Sequence, residues 1–242
     1  MSTRGGPGQR CQALCTRLEG LVAVDDTARR LGARLAWSLS WGPPVGGLDP
    51  GALREEAERL LDELQGSLRL EDLPSHPLVR AYRDFYWRIG IDPTKTRPAS
   101  EALVRRGLRR RWPSINPVVD AGNIASARTM VPIGLYDADR FTPPATLRLS
   151  RGGEEFHPIG GGAEQLPPGV PILADAEGRV LHLFPHRDSR DTMVTRSTSC
   201  VLVVAAGVPG VPAERLADAV RETQRLHRRL GWTTCPRLAS SP

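Results

Sequence analysis

The chain has 242 residues, a formal net charge of +6 and a hydrophobic fraction of 40%, a composition typical of a globular protein with a sizeable core. No apolar run approaches the length of a membrane span, and residues 1–10 lack the apolar stretch of a signal peptide. We therefore expect a cytoplasmic protein that contacts no membrane. Lys95 is the only lysine, so the excess charge comes from arginine; it permits contact with nucleic acid but is weak evidence for it.

The first 75 residues predict an αβ segment. Residues 1–10 are rich in glycine, proline and polar side chains, which predicts disorder. A continuous apolar run over residues 20–24 and an alternating pattern over residues 33–39 predict two strands. Asp49 and Pro50 form a cap-then-proline start for a helix with a leucine-rich stripe. We expect residues 1–75 to form an N-terminal extension packed on the same unit as the rest of the chain.

The four cysteines give no recognisable framework. Cys11 and Cys15 are four residues apart and lack a second nearby pair with the spacing of a zinc site. Cys200 lies in an apolar run, where a small core residue is expected. We therefore predict neither a set of disulfides nor a metal site, and we expect no other cofactor.

Two further helices are predicted before residue 112. The first begins at Pro77 and ends near Gly90, and its aromatic stripe indicates core packing. Ser100 and Glu101 cap the second helix, whose polar face is rich in arginine. A solvated surface explains any one of these arginines, but together they are the strongest electrostatic patch in the sequence. We predict that this face contacts RNA phosphate through Arg105, Arg106, Arg109 and Arg110.

The segment from Ser114 to Phe141 places short polar side chains in an apolar run. Asp120, Asn123 and Ser126 are three residues apart, which would place them on neighbouring turns of one helix face. One interpretation is a short buried helix with Asp120 as its N-cap. That interpretation explains Asn123 less well, because asparagine is unfavourable inside a helix. The other is that these three residues line or support the main pocket, since buried polar side chains need partners.

After Phe141 the pattern changes to strands. Alternation predicts a hairpin with strands at residues 145–149 and 155–159, and the glycines at 160–162 lack the spacing of a phosphate-binding motif. A second hairpin, a buried strand and an amphipathic helix follow, at residues 170–184, 200–205 and 212–230. We expect a frayed tail over residues 233–242. The predicted fold class is α+β, with mixed strands over residues 115–206, flanking helices, and a domain spanning residues 76–232.

The charged loop at residues 185–192 is a further candidate for chemistry. A charged surface hairpin explains each residue alone, but the seven consecutive polar or charged positions after Pro185 exceed what a turn needs. The histidine is a candidate proton carrier near neutral pH, the arginines are candidate clamps for a carboxylate or phosphate, and the first aspartate can orient a water. These residues are His186, Arg187, Asp188 and Arg190. We predict that the last three converge on the pocket of Asn123.

These segments resemble the tRNA-editing (B3/B4) domain in the beta subunit of bacterial phenylalanyl-tRNA synthetase. That domain contains Asn-x-Val-Val-Asp-x-x-Asn, then a turn with proline, then aspartate. The matching positions are Asn116, Val118, Val119, Asp120, Asn123, Pro132 and Asp137. Free-standing proteins made of this domain alone typically have Pro-Ile-Gly-x-Tyr-Asp, which residues 132–137 match. The resemblance covers roughly residues 98–207, and its first half is the more specific.

The resemblance implies a free-standing deacylase that hydrolyses the ester between a wrong, aromatic amino acid and tRNA, typically tyrosine on the phenylalanine tRNA. The partner would be mischarged aminoacyl-tRNA and not DNA. The candidate catalytic residues are Asn123, Arg187 and Asp188. The candidate substrate-binding residues are Asp120, Ser126, Gly134, Glu164, His186, Arg190 and Thr198. Gly134 stands where the synthetase domain has a histidine. The alternative is a non-catalytic module that binds an amino acid, a small amine or RNA, since fold does not decide between them.

Overall fold

A computed structural model describes residues 7–241, in which four consecutive helices, α3 to α6, precede a run of eight strands, β3 to β10. The helices are α1 (Pro7–Thr16), α2 (Asp26–Arg30), α3 (Arg54–Ser67), α4 (Pro77–Arg88), α5 (Ala99–Leu108), α6 (Pro117–Thr129) and α7 (Ala213–Arg229). The strands are β1 (Val22–Val24), β2 (Arg34–Trp41), β3 (Ile133–Asp137), β4 (Ala145–Leu149), β5 (Glu155–Phe156), β6 (Glu164–Gln165), β7 (Pro171–Ala174), β8 (Val180–Leu183), β9 (Arg187–Asp188), β10 (Cys200–Gly207), β11 (Thr233–Thr234) and β12 (Ala239–Ser240). Within residues 7–241, no helix combines the length and the apolar composition needed to cross a membrane.

The strands form two main sheets, which confirms the predicted α+β class. The first sheet has the order β1-β4-β7-β8-β9, with β1 and β4 parallel and the other neighbours antiparallel. The second sheet has the order β11-β2-β10-β3, with β12 also paired to β2, and is antiparallel. Helix α7 packs on β2 and β10, and helix α6 packs on α7 and β3.

Strand β10 is central to the second sheet, with β2 on one edge and β3 on the other. All eight of its residues are buried and most are apolar, as a central strand requires. It pairs with β2 along its whole length, from Cys200 opposite Trp41 to Gly207 opposite Arg34, and with β3 on its other edge. Strand β2 belongs to the first 75 residues, so that segment contributes a central strand to the same unit. The boundary of the N-terminal extension at residue 75 stays a prediction.

Helix α6 begins one turn earlier than an N-cap at Asp120 would require. Asn116 is the N-cap, its side chain accepts a hydrogen bond from the Val119 amide at 3.0 Å, and Pro117 occupies the first helical position. Asp120 lies within the first turn, and its carboxylate accepts hydrogen bonds from the Ile115 amide at 2.9 Å and the Ser114 hydroxyl at 3.1 Å. The interpretation of Asp120 as the cap is therefore wrong; its carboxylate instead fixes the chain that enters the helix.

Five predicted elements differ from the observed ones. Helix α3 begins at Arg54 and not at Pro50, and α5 begins at Ala99, so Ser100 and Glu101 lie inside that helix and do not cap it. The segment after residue 154 does not return along β4, because β1 and β7 already occupy both edges of that strand; β5 pairs with β6 instead. The tail is not frayed over residues 233–240, since β11 and β12 both pair with β2. The disorder predicted for residues 1–10 is wrong for residues 7–10, which belong to α1, and its remainder lies outside the described residues.

The arginine-rich face predicted for one helix is divided by the end of α5 at Leu108. The helix stops shortly before Pro113, whose ring disfavours helical geometry in the preceding residue, and Arg110 adopts a left-handed conformation with φ of 53°. Arg105 is directed to the buried Glu101 at 2.7 Å, and Arg110 forms an ion pair with Asp62 at 2.8 Å. Arg106 and Arg109, however, form no ion pair with a residue in the described part of the chain.

All four cysteines are paired, so the expectation of unpaired cysteines is wrong. Cys11 is bonded to Cys200, and Cys15 is bonded to Cys235. The pairs are separated by 189 and 220 residues in sequence, and connectivity over such separations cannot be deduced from cysteine spacing. The two bonds attach α1 to β10 and to the C-terminal segment. Disulfides persist in oxidising compartments and are rare in the cytosol. The two bonds therefore argue against the cytoplasmic location, which stays a prediction.

His227 on α7 makes the stability of the fold sensitive to acid. Its side chain is fully buried, its Nε2 lies 3.1 Å from the Val118 carbonyl oxygen, and burial lowers its pKa to about 4. In the unfolded chain His227 is therefore protonated as the pH falls through about 6.5, whereas in the folded chain it stays neutral until about pH 4. We expect the free energy of unfolding to fall by about 3 kcal/mol through this group as the pH drops across that window.

The measurement is urea unfolding of the wild type and of His227→Gln at several pH values between 7 and 4. The variant should lose this part of the pH dependence and keep the part caused by other groups. Equal pH dependence in the two proteins would show that His227 does not contribute.

Candidate functional site

A small apolar cavity lies between helix α6, strand β3 and the loop after β9. We call it the Asn123 cavity; its volume is about 170 Å³. Its lining is Ile115, Val119, Gly122, Asn123, Ile133, Leu135, Ile159, Asp188, Met193 and Val194. Asn123 and Asp188 are the polar members, so a ligand in this cavity would meet an amide and a carboxylate on otherwise apolar walls.

The rim of the Asn123 cavity is an exposed apolar surface. Ile115 is 66% exposed, Ile159 is 56% exposed and Met193 is 36% exposed. These are three of the four large hydrophobic side chains that are exposed among the described residues. Contiguous exposed apolar surface around a concave site is typical of ligand or partner binding.

Asp188 connects this cavity to a second, smaller one. Strand β9 pairs with β8, which places Asp188 opposite His182, and the His182 Nδ1 lies 2.8 Å from the Asp188 carboxylate. Asp188 also lines a cavity of about 30 Å³ that includes His182 and His186, which we call the His186 cavity. Its carboxylate is thus positioned by a buried histidine and faces both spaces.

Tyr136 on β3 provides a second partner for Asp188. Burial, reinforced by the charge of Asp188 and an interaction with its carboxylate, raises the pKa of Tyr136 well above its ordinary value. The phenol therefore stays protonated. A Cβ at Gly134 would lie 2.1 Å from the Tyr136 hydroxyl oxygen, so a side chain at Gly134 would displace Tyr136. Gly134 lines the His186 cavity and is required there for the close approach of this phenol.

His186 is unsuited to the predicted role of a proton carrier near neutral pH. Burial and the nearby charges of His182 and Arg187 lower its pKa to about 4. Its Nδ1 has no hydrogen-bond partner in residues 7–241, and its ring packs edge-on against Tyr86, whose hydroxyl is also unpaired within them. At neutral pH, His186 is therefore an uncharged wall of the small cavity.

Arg187 does not converge with Asp188 on the Asn123 cavity. Its guanidinium forms a two-point ion pair with Glu164, at 3.1 and 2.7 Å, and lies 5.5 Å from the centre of the Phe156 ring. Adjacent residues of a strand point to opposite faces, which separates Arg187 from Asp188 on β9. Arg187 and the substrate-binding candidate Glu164 thus lie at the β5–β6 ribbon and not at the Asn123 cavity.

The three polar residues of α6 also separate. An α-helix turns by about 100° per residue, so Asp120 and Ser126 differ by about 120° around its axis. Asp120 lines a different hollow beside Trp112, and burial raises the pKa of its carboxyl. Ser126 is buried, and its hydroxyl has no partner in the described chain. Of these three residues, only Asn123 lines the Asn123 cavity. Its side chain makes no hydrogen bond to another residue of the range 7–241.

Two other predicted substrate-binding residues lie outside the Asn123 cavity. Thr198 is buried and donates a hydrogen bond to Asp137 at 2.6 Å, which fixes the loop before β10. Arg190 is exposed and lines a wide, open cleft of about 720 Å³. We call it the arginine cleft; its lining is Arg10, Asp139, Arg140, Phe141, Thr142, Arg179, Arg190, Asp191 and Met193. Met193 therefore belongs to both the cleft and the Asn123 cavity.

Sequence reasoning missed His182 and Tyr136 as site residues. His182 interrupts the apolar run of β8, and Tyr136 stands in the segment Pro-Ile-Gly-Leu-Tyr-Asp. A polar residue in a strand that is otherwise buried is a signal that it has a specific partner. In residues 7–241, no group of three or more His, Cys, Asp or Glu side chains is arranged to hold a metal ion.

Comparisons with known proteins agree on one family. The family model described as "B3/4 domain" matches residues 81–229. The phenylalanine–tRNA ligase beta subunit of Thiobacillus denitrificans (strain ATCC 25259 / T1) is 29% identical over 175 residues, which are 71% of this chain and 21% of that subunit. The chain thus spans about a fifth of that relative's length.

A solved structure gives the same fold. It is an N-terminal fragment of the phenylalanyl-tRNA synthetase beta subunit from Pyrococcus horikoshii, with a TM-score of 0.50 and 17% sequence identity. The alignment covers 92% of this chain and 54% of that fragment. At this identity the likeness establishes the fold alone, and at 92% coverage it must include most of the first 75 residues.

Proposed function

This chain belongs to the B3/4 domain family, and on that premise we propose that it is an aminoacyl-tRNA deacylase acting in trans. The reaction is hydrolysis of the ester that joins a wrong, aromatic amino acid to tRNA. Water oxygen bonds to the ester carbonyl carbon, the bond from that carbon to the ribose oxygen breaks, and the ribose oxygen takes a proton. The products are the free amino acid and the free tRNA.

The observation that carries the proposal is the Asn123 cavity. Its volume of about 170 Å³ is close to that of a cavity of about 150 Å³ with apolar walls that holds benzene. An aromatic side chain therefore matches both its size and its lining. The exposed apolar rim formed by Ile115, Ile159 and Met193 favours entry of such a side chain from solvent.

Asn123 and Asp188 are the residues to which we assign chemistry. The Asn123 amide has no partner within residues 7–241, so its N–H is available to the ester carbonyl oxygen, where negative charge develops. The Asp188 carboxylate is held by His182 at 2.8 Å, and a carboxylate in fixed geometry can orient a water and accept its proton. Tyr136 lies beside the same carboxylate and, as a protonated phenol, stabilises its charge.

The test is release of amino acid from tyrosine-charged phenylalanine tRNA by the wild type, Asn123→Ala and Asp188→Asn. We expect each substitution to lower kcat/KM by about 100-fold, the scale of losing one positioned donor or general base. Asp218→Asn is a matched control, because Asp218 lies on α7 with its side chain 54% exposed and touches neither cavity. Circular dichroism verifies that each variant is folded.

Undiminished hydrolysis by Asp188→Asn would reject its catalytic role. A wild type that hydrolyses no mischarged tRNA, but binds free tyrosine or phenylalanine less tightly after Asn123→Ala, would favour the non-catalytic binding module. That alternative draws support from Asp188 itself, whose carboxylate is already engaged by His182.

A further inference from the structure

We propose that the arginine cleft binds the phosphodiester backbone of a single-stranded RNA end, and that it does so beside the Asn123 cavity. This inference rests on the proposed function, because it names the surface that would hold the RNA part of the ester substrate. It differs from the surface that the sequence favoured, which was the arginine-rich segment at the end of α5.

The arginine cleft carries a net positive charge. Its four guanidinium groups come from four separate parts of the chain, namely α1, the turn after β3, the turn before β8 and the loop after β9. They are Arg10, Arg140, Arg179 and Arg190. Two carboxylates, Asp139 and Asp191, also line the cleft, so four positive and two negative groups leave a net charge of +2. A concave basic surface concentrates anions near it.

Two guanidinium groups of the cleft, those of Arg10 and Arg190, are available to bind a phosphate. Arg190 is exposed, and its side chain forms no ion pair or hydrogen bond with another residue in the range 7–241. Arg10 is paired with Asp139 at 3.1 Å, but the two side chains are 56% and 42% exposed. Such exposed pairs contribute little free energy, so Arg10 can exchange its partner for a phosphate. Arg179 donates a hydrogen bond to the Arg140 carbonyl and forms ion pairs with Asp175 at 3.5 Å and Glu177 at 3.7 Å. Arg140 forms an ion pair with Asp137 at 3.7 Å, so Arg10 and Arg190 are the more available pair.

The arginine cleft lies next to the Asn123 cavity. Met193 lines both the cleft and the Asn123 cavity, so the two spaces adjoin. A substrate whose aromatic side chain occupies the cavity would extend its ribose and phosphates past Met193 toward the arginines. The cleft is also wide, at about 720 Å³, which suits a flexible strand better than a compact small molecule. Near α5, Arg105 and Arg110 are paired with Glu101 and Asp62, so Arg106 and Arg109 are the groups with which that surface competes.

The test uses a labelled single-stranded RNA of about twelve nucleotides, a length within the range of known single-strand sites. Its affinity is measured by fluorescence anisotropy over a series of salt concentrations. For the double variant Arg10→Ala with Arg190→Ala, we expect binding weaker by about tenfold per arginine at about 50 mM salt, and a salt slope smaller by about 0.7 per arginine.

Two further double variants remove the same charge elsewhere. Arg17→Ala with Arg30→Ala changes exposed arginines that line neither the cleft nor the Asn123 cavity, and it should retain the wild-type affinity and slope. Arg106→Ala with Arg109→Ala tests the competing surface near α5. Equal losses in all three variants, a loss confined to the α5 variant, or wild-type binding by the cleft variant would each overturn the proposal.

The probe carries no amino acid, so this experiment does not depend on hydrolysis. A wild type that binds RNA through the cleft but releases no amino acid would retain this inference and reject the deacylase. A wild type that deacylates while the cleft variant keeps its RNA affinity and slope would retain the deacylase and reject this inference.

Discussion

Replacing Cys15 and Cys235 together with serine should lower the free energy of unfolding by about 4 kcal/mol. The bond between them closes a loop over a sequence separation of 220 residues, and cross-links across long loops remove a large conformational entropy from the unfolded chain. The second bond, Cys11–Cys200, spans much of the same loop. The two contributions therefore do not add fully, and a wild type with both bonds reduced should be less stable than the serine variant.

The measurement is guanidinium unfolding of both proteins under oxidising and reducing conditions. Reductant should destabilise the wild type, and it should destabilise the serine variant less, since that protein has one bond left to lose. A wild type with the same unfolding midpoint in both conditions would show that neither bond contributes. Because Arg10 directly precedes Cys11 in α1, reduction should also weaken RNA binding at the arginine cleft.

The second large effect is expected at Glu56 on α3. This carboxylate is 5% exposed and accepts hydrogen bonds from four arginines, which are Arg59, Arg128, Arg225 and Arg229. The network connects α3 to α6, which carries Asn123, and to α7. Glu56→Gln leaves the guanidinium groups without their central charge, so we expect a loss of about 3–5 kcal/mol, as when one partner of a buried ion pair is removed.

The pH dependence provides a second readout for Glu56. Burial alone would raise the pKa of its carboxyl, but hydrogen bonds from Arg59, Arg225 and Arg128 outweigh it and lower the pKa to about 2. A lowered carboxyl pKa stabilises the fold above about pH 4.5, and this stability is lost as the pH falls toward 2. Urea unfolding should show that loss in the wild type and not in Glu56→Gln.

Glu63→Gln is the matched control, because its side chain is 56% exposed although it contacts Arg128 at 3.2 Å. An exposed ion pair contributes about 0–1 kcal/mol, so this variant should unfold nearly like the wild type. If Glu56→Gln and Glu63→Gln cost the same, the central position of Glu56 in the network has no special effect on stability.

The sequence by itself determined the elements whose signals are local. The continuous apolar run of β10, the alternation in β4, the hairpin of β7 and β8, and the stripe of α7 all lie where the pattern predicted them. The residues around Asn116 and Asn123 also indicated the B3/4 family, since they occur at fixed spacing within one short segment. Periodicity and spacing report on burial and on neighbours along the chain, which is why these features were accessible.

The tertiary structure decided every feature that joins distant parts of the chain. Pairing of β9 with β8 brings His182 to Asp188, and helical geometry leaves Asn123 at the cavity while turning Asp120 away. The disulfides and the arginine cleft likewise combine residues from both ends of the sequence. Such pairings depend on which strands become neighbours, and strand order follows from burial of the whole core, which no local pattern encodes.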